Sequence, residues 1–139
     1  MVEKHERSVA GTREAGERWA PHRVKSFTPV SDFFLEHYAD LEISSMEAMV
    51  VVHLMSFKWR SEAPYPAIKT IAKRMGLSDT QVRTHLRNLE RKGYLVRAKR
   101  VGETNKFHLD RLFQLLEERR VEVEAENPKR RRPSKEATL

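Results

Sequence analysis

Between Ser78 and Gly93 the chain gathers hydrogen-bonding side chains on one side of a helical repeat: Thr80, Gln81, Arg83, Thr84, Arg87, Asn88 and Arg91. Val82, Leu86 and Leu89 recur at three- and four-residue intervals on the other side. The chemistry open to such a set is recognition. A guanidinium donates two parallel hydrogen bonds to the edge of guanine, and a carboxamide does the same for adenine. Threonine suits phosphate oxygens or thymine methyl groups. The spacing therefore predicts a helix held by one flank that offers the other to the major groove of a DNA duplex.

The neighbouring residues supply what holds it. Ser78 is placed to cap that helix, with Gln81 completing a capping box three residues on. Gly93 ends it, just after Arg91 and Lys92, whose charges suit the negative end of the helix dipole. Upstream, Ile68, Ile71, Ala72 and Met75 predict a shorter helix with a narrow apolar stripe. Pro66 suits its first helical position, and Gly76 suits a left-handed stop. Ala72 is small enough for a close helix crossing, and Leu77 is expected to drop back into the core. Lys69, Lys73, Ser78, Asn88 and Arg91 then become candidates for backbone phosphates, and Thr80, Gln81, Arg83, Thr84 and Arg87 for base edges. After Gly93 the pattern turns toward strand, with residues 95–101 and 106–109 flanking the polar turn Gly102-Glu103-Thr104-Asn105. Arg97, Lys99, Arg100, Asn105 and Lys106 surround that turn, where a basic hairpin reaches the backbone or a neighbouring minor groove.

The run Ile71-Ala72-Lys-Arg-Met-Gly-Leu-Ser78, followed by Val82, Leu86, Leu89 and Gly93-Tyr-Leu95, resembles a bacterial winged helix-turn-helix domain. The resemblance covers roughly residues 27–116, and its specific part is 68–109. The lead-in Phe27-Thr-Pro-Val30 and the pair Tyr65-Pro66 are similar to domains of transcription regulators and of phage or plasmid replication proteins. It implies a mainly α fold with a small β-hairpin wing, an α+β class. A three-helix core would carry an extra N-terminal helix and a C-terminal helix. It also implies that the second helix of the motif reads DNA while the wing steadies it. Asp79 departs from the pattern. Its carboxylate suits a helix N-terminus but repels phosphate, so it either points aside or accepts from a cytosine amino group.

Charge is distributed to match. The 139 residues carry a net charge of +7. Residues 64–111 hold 12 Lys or Arg against 4 Asp or Glu, whereas residues 27–63 hold 2 against 6 and residues 112–126 hold 2 against 5. The motif is a basic patch on an acidic body, which points to a polyanionic partner. The chain has no cysteine, which excludes disulfides and thiolate metal sites. No apolar run approaches the roughly 20 residues of a membrane span. The opening Met-Val-Glu-Lys-His-Glu-Arg lacks the apolar core of a signal peptide. A cytoplasmic, nucleoid-associated location is expected.

Four segments are expected: a charged, flexible arm (1–26), the winged helix-turn-helix domain (27–116), an acidic helical extension (117–126) and a basic tail (127–139). Trp19 in the arm docks either on the protein itself or on a partner protein. Ser31 or Asp32 can cap a short helix through Phe34, Leu35 and Tyr38. Ser44 and Glu47 form a second capping box, opening a helix from Ser45 to about Trp59 that is apolar nearly all round and should be buried at the centre. Asp110 can cap a last helix whose Leu112, Phe113, Leu115 and Leu116 pack on residues 45–59 or on a second subunit. In the tail, Lys129, Arg130, Arg131 and Arg132 act either as a phosphate clamp or as a solubilising run.

Enzymatic patterns are missing. The six histidines have no metal-ligand spacing, and no serine elbow, phosphate-binding glycine loop or dinucleotide fingerprint occurs. No metal, cofactor or catalytic residue is expected. His53, in the apolar helix, reads as a core histidine, and His85 as a flank residue or a backbone contact. The expected function is sequence-specific double-stranded DNA binding by a transcription regulator, with a homodimer through a terminal helix. The alternatives are a replication, partition or mobile-element accessory protein, or a winged-helix protein adaptor.

Overall fold

Serine caps start three of the helices. In the computed structural model, which describes residues 27–57 and 63–127, Ser31 Oγ accepts from the Phe34 amide at 3.0 Å and opens α1 (Asp32–His37). Ser44 and Glu47 close a reciprocal capping box that opens α2 (Ser45–Ser56). α3 (Ile68–Met75) begins without a side-chain cap. Ser78 and Gln81 form the second capping box and open α4 (Asp79–Arg91). A two-stranded antiparallel hairpin follows, β1 (Val96–Ala98) with β2 (Lys106–His108), and the described residues end with α5 (Asp110–Glu126) and Asn127. The readings for the N-terminal arm and Trp19, for Trp59 and for the cations at 129–132 fall outside the described residues.

Between α3 and α4 the chain turns at Gly76, whose φ of 66° is the left-handed conformation that only glycine adopts cheaply. The Leu77 amide then donates to the Ala72 carbonyl at 2.9 Å, which draws Leu77 against the core. Gly93 does the same after α4, at φ 81°, with the Tyr94 amide donating to the Leu89 carbonyl.

The core is shared by every helix. Phe34 of α1, Val50, Val51 and Leu54 of α2, Ile71 and Ala72 of α3, Val82, Leu86 and Leu89 of α4, Phe107 of β2 and Leu112 and Leu116 of α5 are all buried. α4 packs on both α2 and α3, and α5 packs on α1. The architecture is a mainly helical winged helix, α+β in class, in which α2, α3 and α4 form the central three-helix unit.

Four local expectations are corrected. α2 is not buried all round: Met46 and Met49 are exposed, because only one side of the helix faces α4 and the core. Pro66 precedes α3, which begins at Ile68 after Ala67, so the proline occupies the lead-in and is itself buried there. Asp110 is the first residue of α5; Leu109 stands at the cap position. The strands are shorter than the pattern suggested, because residues 99–105 form a loop of their own between β1 and β2. α5 packs against α1, and its Leu112 and Leu116 join the core that also holds Phe34 and the buried residues of α2.

Candidate nucleic-acid interface

α4 presents two chemically different sides. Val82, Leu86 and Leu89 are fully buried against α2 and α3. Thr80, Gln81, Arg83, Thr84, Arg87 and Arg91 are exposed, and Asn88 is half-buried. At 100° per residue, Thr80, Thr84, Arg87 and Arg91 lie opposite the buried stripe. Arg83 sits on the flank toward the hairpin, and Gln81, His85 and Asn88 on the flank toward α2. Arg83 and Arg87 form no hydrogen bond or ion pair with any described residue. Lys69 and Lys73, exposed on α3, are likewise unpaired.

Other groups on this face are partly occupied. The Gln81 carboxamide oxygen accepts from the Ser78 amide at 2.9 Å, which leaves its amino group for other partners. Ser78 Oγ accepts from the Gln81 amide at 3.1 Å, so its hydroxyl hydrogen remains available. Thr84 Oγ1 donates to the Thr80 carbonyl at 2.9 Å. Arg91 donates to the Asn88 side-chain oxygen, so those two act as a joined pair.

Electrostatics on the α2 side fix the end of α4. Lys92 Nζ lies 2.7 Å from Glu47 Oε1 and also donates to the Glu42 carbonyl. Glu47 is 2% exposed, the buried charged residue among those described. Burial pushes its carboxyl upward in pKa. Hydrogen bonds from Lys92 and Ser44 outweigh that and hold it below the ordinary glutamate value. The sequence offered Lys92 only as a dipole-favoured cation; its ion pair spans 45 residues and had no local signal. Tyr94 adds a second tie, its hydroxyl donating to the Leu41 carbonyl at 2.8 Å.

The hairpin side divides the predicted wing cations. Arg97 forms an ion pair of 2.6 Å with Glu90 of α4 and lies 5.9 Å from the Phe107 ring centre. Arg100 is bound within the loop: its Nε donates to the Thr104 carbonyl at 2.7 Å, its guanidinium meets Glu103 at 2.8 Å, and it stacks 4.7 Å from the Tyr65 ring. Lys99 is exposed and unpaired. Asn105 and Lys106 are half-buried, and Lys106 has an interaction of its own. The Phe107 amide donates to the Pro64 carbonyl at 2.8 Å, and Thr104 Oγ1 donates to the Tyr65 carbonyl. The segment before α3 thus runs beside β2 and braces the wing.

Between α4 and the wing lies an open cleft of about 240 Å³, lined by Lys69, Asp79, Arg83, Glu103, Thr104 and Asn105 over a floor that includes Ile68 and Phe107. Asp79, the residue that departs from the expected pattern, opens α4 in this cleft. His53 is half-buried, and burial with the nearby Arg74 charge lowers its pKa. Among the described residues no group of three or more His, Asp or Glu side chains could hold a metal ion. No helix of the described residues is long and apolar enough to cross a membrane.

Residues 41–95, from the turn before α2 through α4 to the first residues after it, match the family described as a helix-turn-helix domain. Among solved structures, the fold is similar to the crystal structure of the N-terminal domain of DnaD protein from Geobacillus kaustophilus HTA426. The TM-score is 0.58 and the identity 22%, over 84% of this chain and 96% of that one. No curated protein matches the chain at a significant level.

Proposed function

We propose that the chain is a sequence-specific double-stranded DNA-binding protein that reads the major groove with α4. The observation that carries this reading is the pair Arg83 and Arg87: exposed and unpartnered on a helix whose other side is locked into the core. Rigid presentation matters because a base contact has to be made within a few tenths of an ångström. The helix-turn-helix match over residues 41–95 supports DNA as the partner class. Thr80, Gln81, Arg83, Thr84 and Arg87 are assigned to base edges. Ser78, Lys69, Lys73, Asn88 and Arg91 are assigned to the backbone. Lys99 is the wing's free cation, whereas Arg97 and Arg100 act as braces. Lys129, Arg130, Arg131 and Arg132 serve as a salt-dependent clamp.

In this reading the protein acts without catalysis as a transcription regulator in the cytoplasm, occupying an operator. As a homodimer it would place two α4 helices about 34 Å apart on successive turns of one duplex face. A second reading is a replication, partition or mobile-element accessory protein that marks a site with the same face. It is favoured by one observation, the shared fold with the N-terminal domain of a DnaD protein.

The test is selection of duplexes from a random pool by the full chain, followed by titration of the selected site. Arg83→Ala and Arg87→Ala should each relax the preference at one base position. If both variants bind the selected site unchanged, α4 is not the reading element. Removing residues 127–139 should lower affinity for every duplex while leaving the preferred site intact. Genome-wide crosslinking separates the two biological readings, promoters for the first and an origin or element end for the second.

A further inference from the structure

The tip of the wing ends in an unusual residue for a surface that faces a polyanion. Val101 is 102% exposed, as open as in an isolated extended chain. A single exposed valine means little by itself. What singles this one out is how firmly the loop beneath it is held. Arg100 turns back onto Tyr65, Glu103 and the Thr104 carbonyl. Thr104 in turn donates to the Tyr65 carbonyl, and Gly102 supports the reversal at φ 70°. The loop uses its arginine as a buttress and leaves an apolar, β-branched side chain at the apex, with the unpaired Lys99 two residues away.

We infer that Val101 enters the minor groove next to the major-groove segment read by α4, and that it favours A·T pairs there. This rests on the DNA-binding reading above. A helix in the major groove and a loop in the adjacent minor groove are separated by one sugar–phosphate strand. The cleft between α4 and the wing is where that strand would run, and it offers Lys69, Arg83, Thr104 and Asn105 along its walls. Of its two carboxylates, Glu103 is neutralised by Arg100 and Asp79 sits at the positive end of α4. The minor groove is about 6 Å wide, and its floor carries acceptors at A·T pairs but an extra amino group at G·C pairs. A valine has no acceptor for that amino group and would fit only where it is missing. The wing therefore selects against G·C by shape, without a hydrogen bond.

The test uses the full chain and the duplex selected from a random pool. Replacing adenine by 2,6-diaminopurine adds a minor-groove amino group while leaving the major groove intact, and inosine for guanine removes one. Diaminopurine at the pairs flanking the α4 site should weaken the wild type by about tenfold at one or two positions, and where such a pair is changed to G·C, inosine for that guanine should recover the lost affinity. Val101→Gly should lose both responses yet keep its dependence on Arg87, with an unchanged melting temperature. If the wild type ignores diaminopurine at every flanking pair while Arg87→Ala still relaxes the selected site, the wing inference fails and the DNA-binding reading stands. If no duplex is selected at all, both fall together.

Discussion

The outward face of α4 and the wing carry similar numbers of cations and use them in opposite ways. On α4, Arg83 and Arg87 form no hydrogen bond or ion pair with any described residue and face solvent. On the wing, Arg97 and Arg100 are bound to Glu90, Glu103, Thr104, Phe107 and Tyr65. Formal charge in a sequence is thus a poor guide to charge available for a partner. A helix with one buried stripe must turn its other residues outward, which leaves Arg83 and Arg87 free. A two-stranded hairpin lying on the body directs alternate residues inward, and Arg97, opposite the buried Phe107, is one of them.

The largest expected effect tests the anchored class. Lys92→Ala leaves the nearly buried Glu47 carboxylate without its cation and should cost about 3 kcal/mol in denaturant unfolding. The same pair predicts a pH dependence. The folded Glu47 pKa is held below its unfolded value, so its contribution is present above about pH 4.5 and is lost as pH falls through the lower folded value. In Lys92→Ala the acid limb of the stability profile should flatten; an unchanged limb would mean that other carboxylates control it.

Next comes Arg87→Ala, which should cost about 1–3 kcal/mol in binding the selected duplex and nothing in melting temperature. A comparable loss of thermal stability would place Arg87 among the anchors and erase the contrast. Arg97→Ala should do the reverse. It removes a half-buried ion pair and a ring contact, so unfolding should be easier by about 1 kcal/mol, with no change in which bases are preferred. The smallest effect is expected of Lys99→Ala: the slope of log affinity against log salt should fall by about one, uniformly across duplexes. A base-specific loss there would make Lys99 a reader of bases rather than a phosphate contact.

Much of the frame was legible because its signals are local. Ser44 with Glu47 and Ser78 with Gln81 announce their capping boxes within four residues, and both form. Gly76 and Gly93 mark stops where the left-handed conformation is required, and both adopt it. The alternation of Val82, Leu86 and Leu89 with polar residues assigned the inner side of α4, and all three are buried. Signals that depend on distant partners misled. Pro66 looked like a first helical residue, yet the Pro64–Pro66 segment lies beside β2, where Pro64 accepts from Phe107. The aliphatic run of α2 implied burial on all sides, yet no neighbour covers Met46 and Met49. The partners of Arg97 and Arg100 were equally hidden, since Glu90 and Tyr65 are separated from them in sequence by the end of α4 or by the whole of α3 and α4.

By itself, then, the amino-acid sequence determined where α2 and α4 begin, where α3 and α4 stop, and which side of α4 is apolar. Each of these follows from torsional preference, capping or periodicity over a few residues. Only the tertiary structure decided which cations remain free, that Glu47 and Lys92 lock α4 to α2, and that Val101 crowns the wing. Those outcomes depend on side chains brought together across up to 45 residues of chain, and pairing at that range is set by packing geometry, which no local pattern encodes.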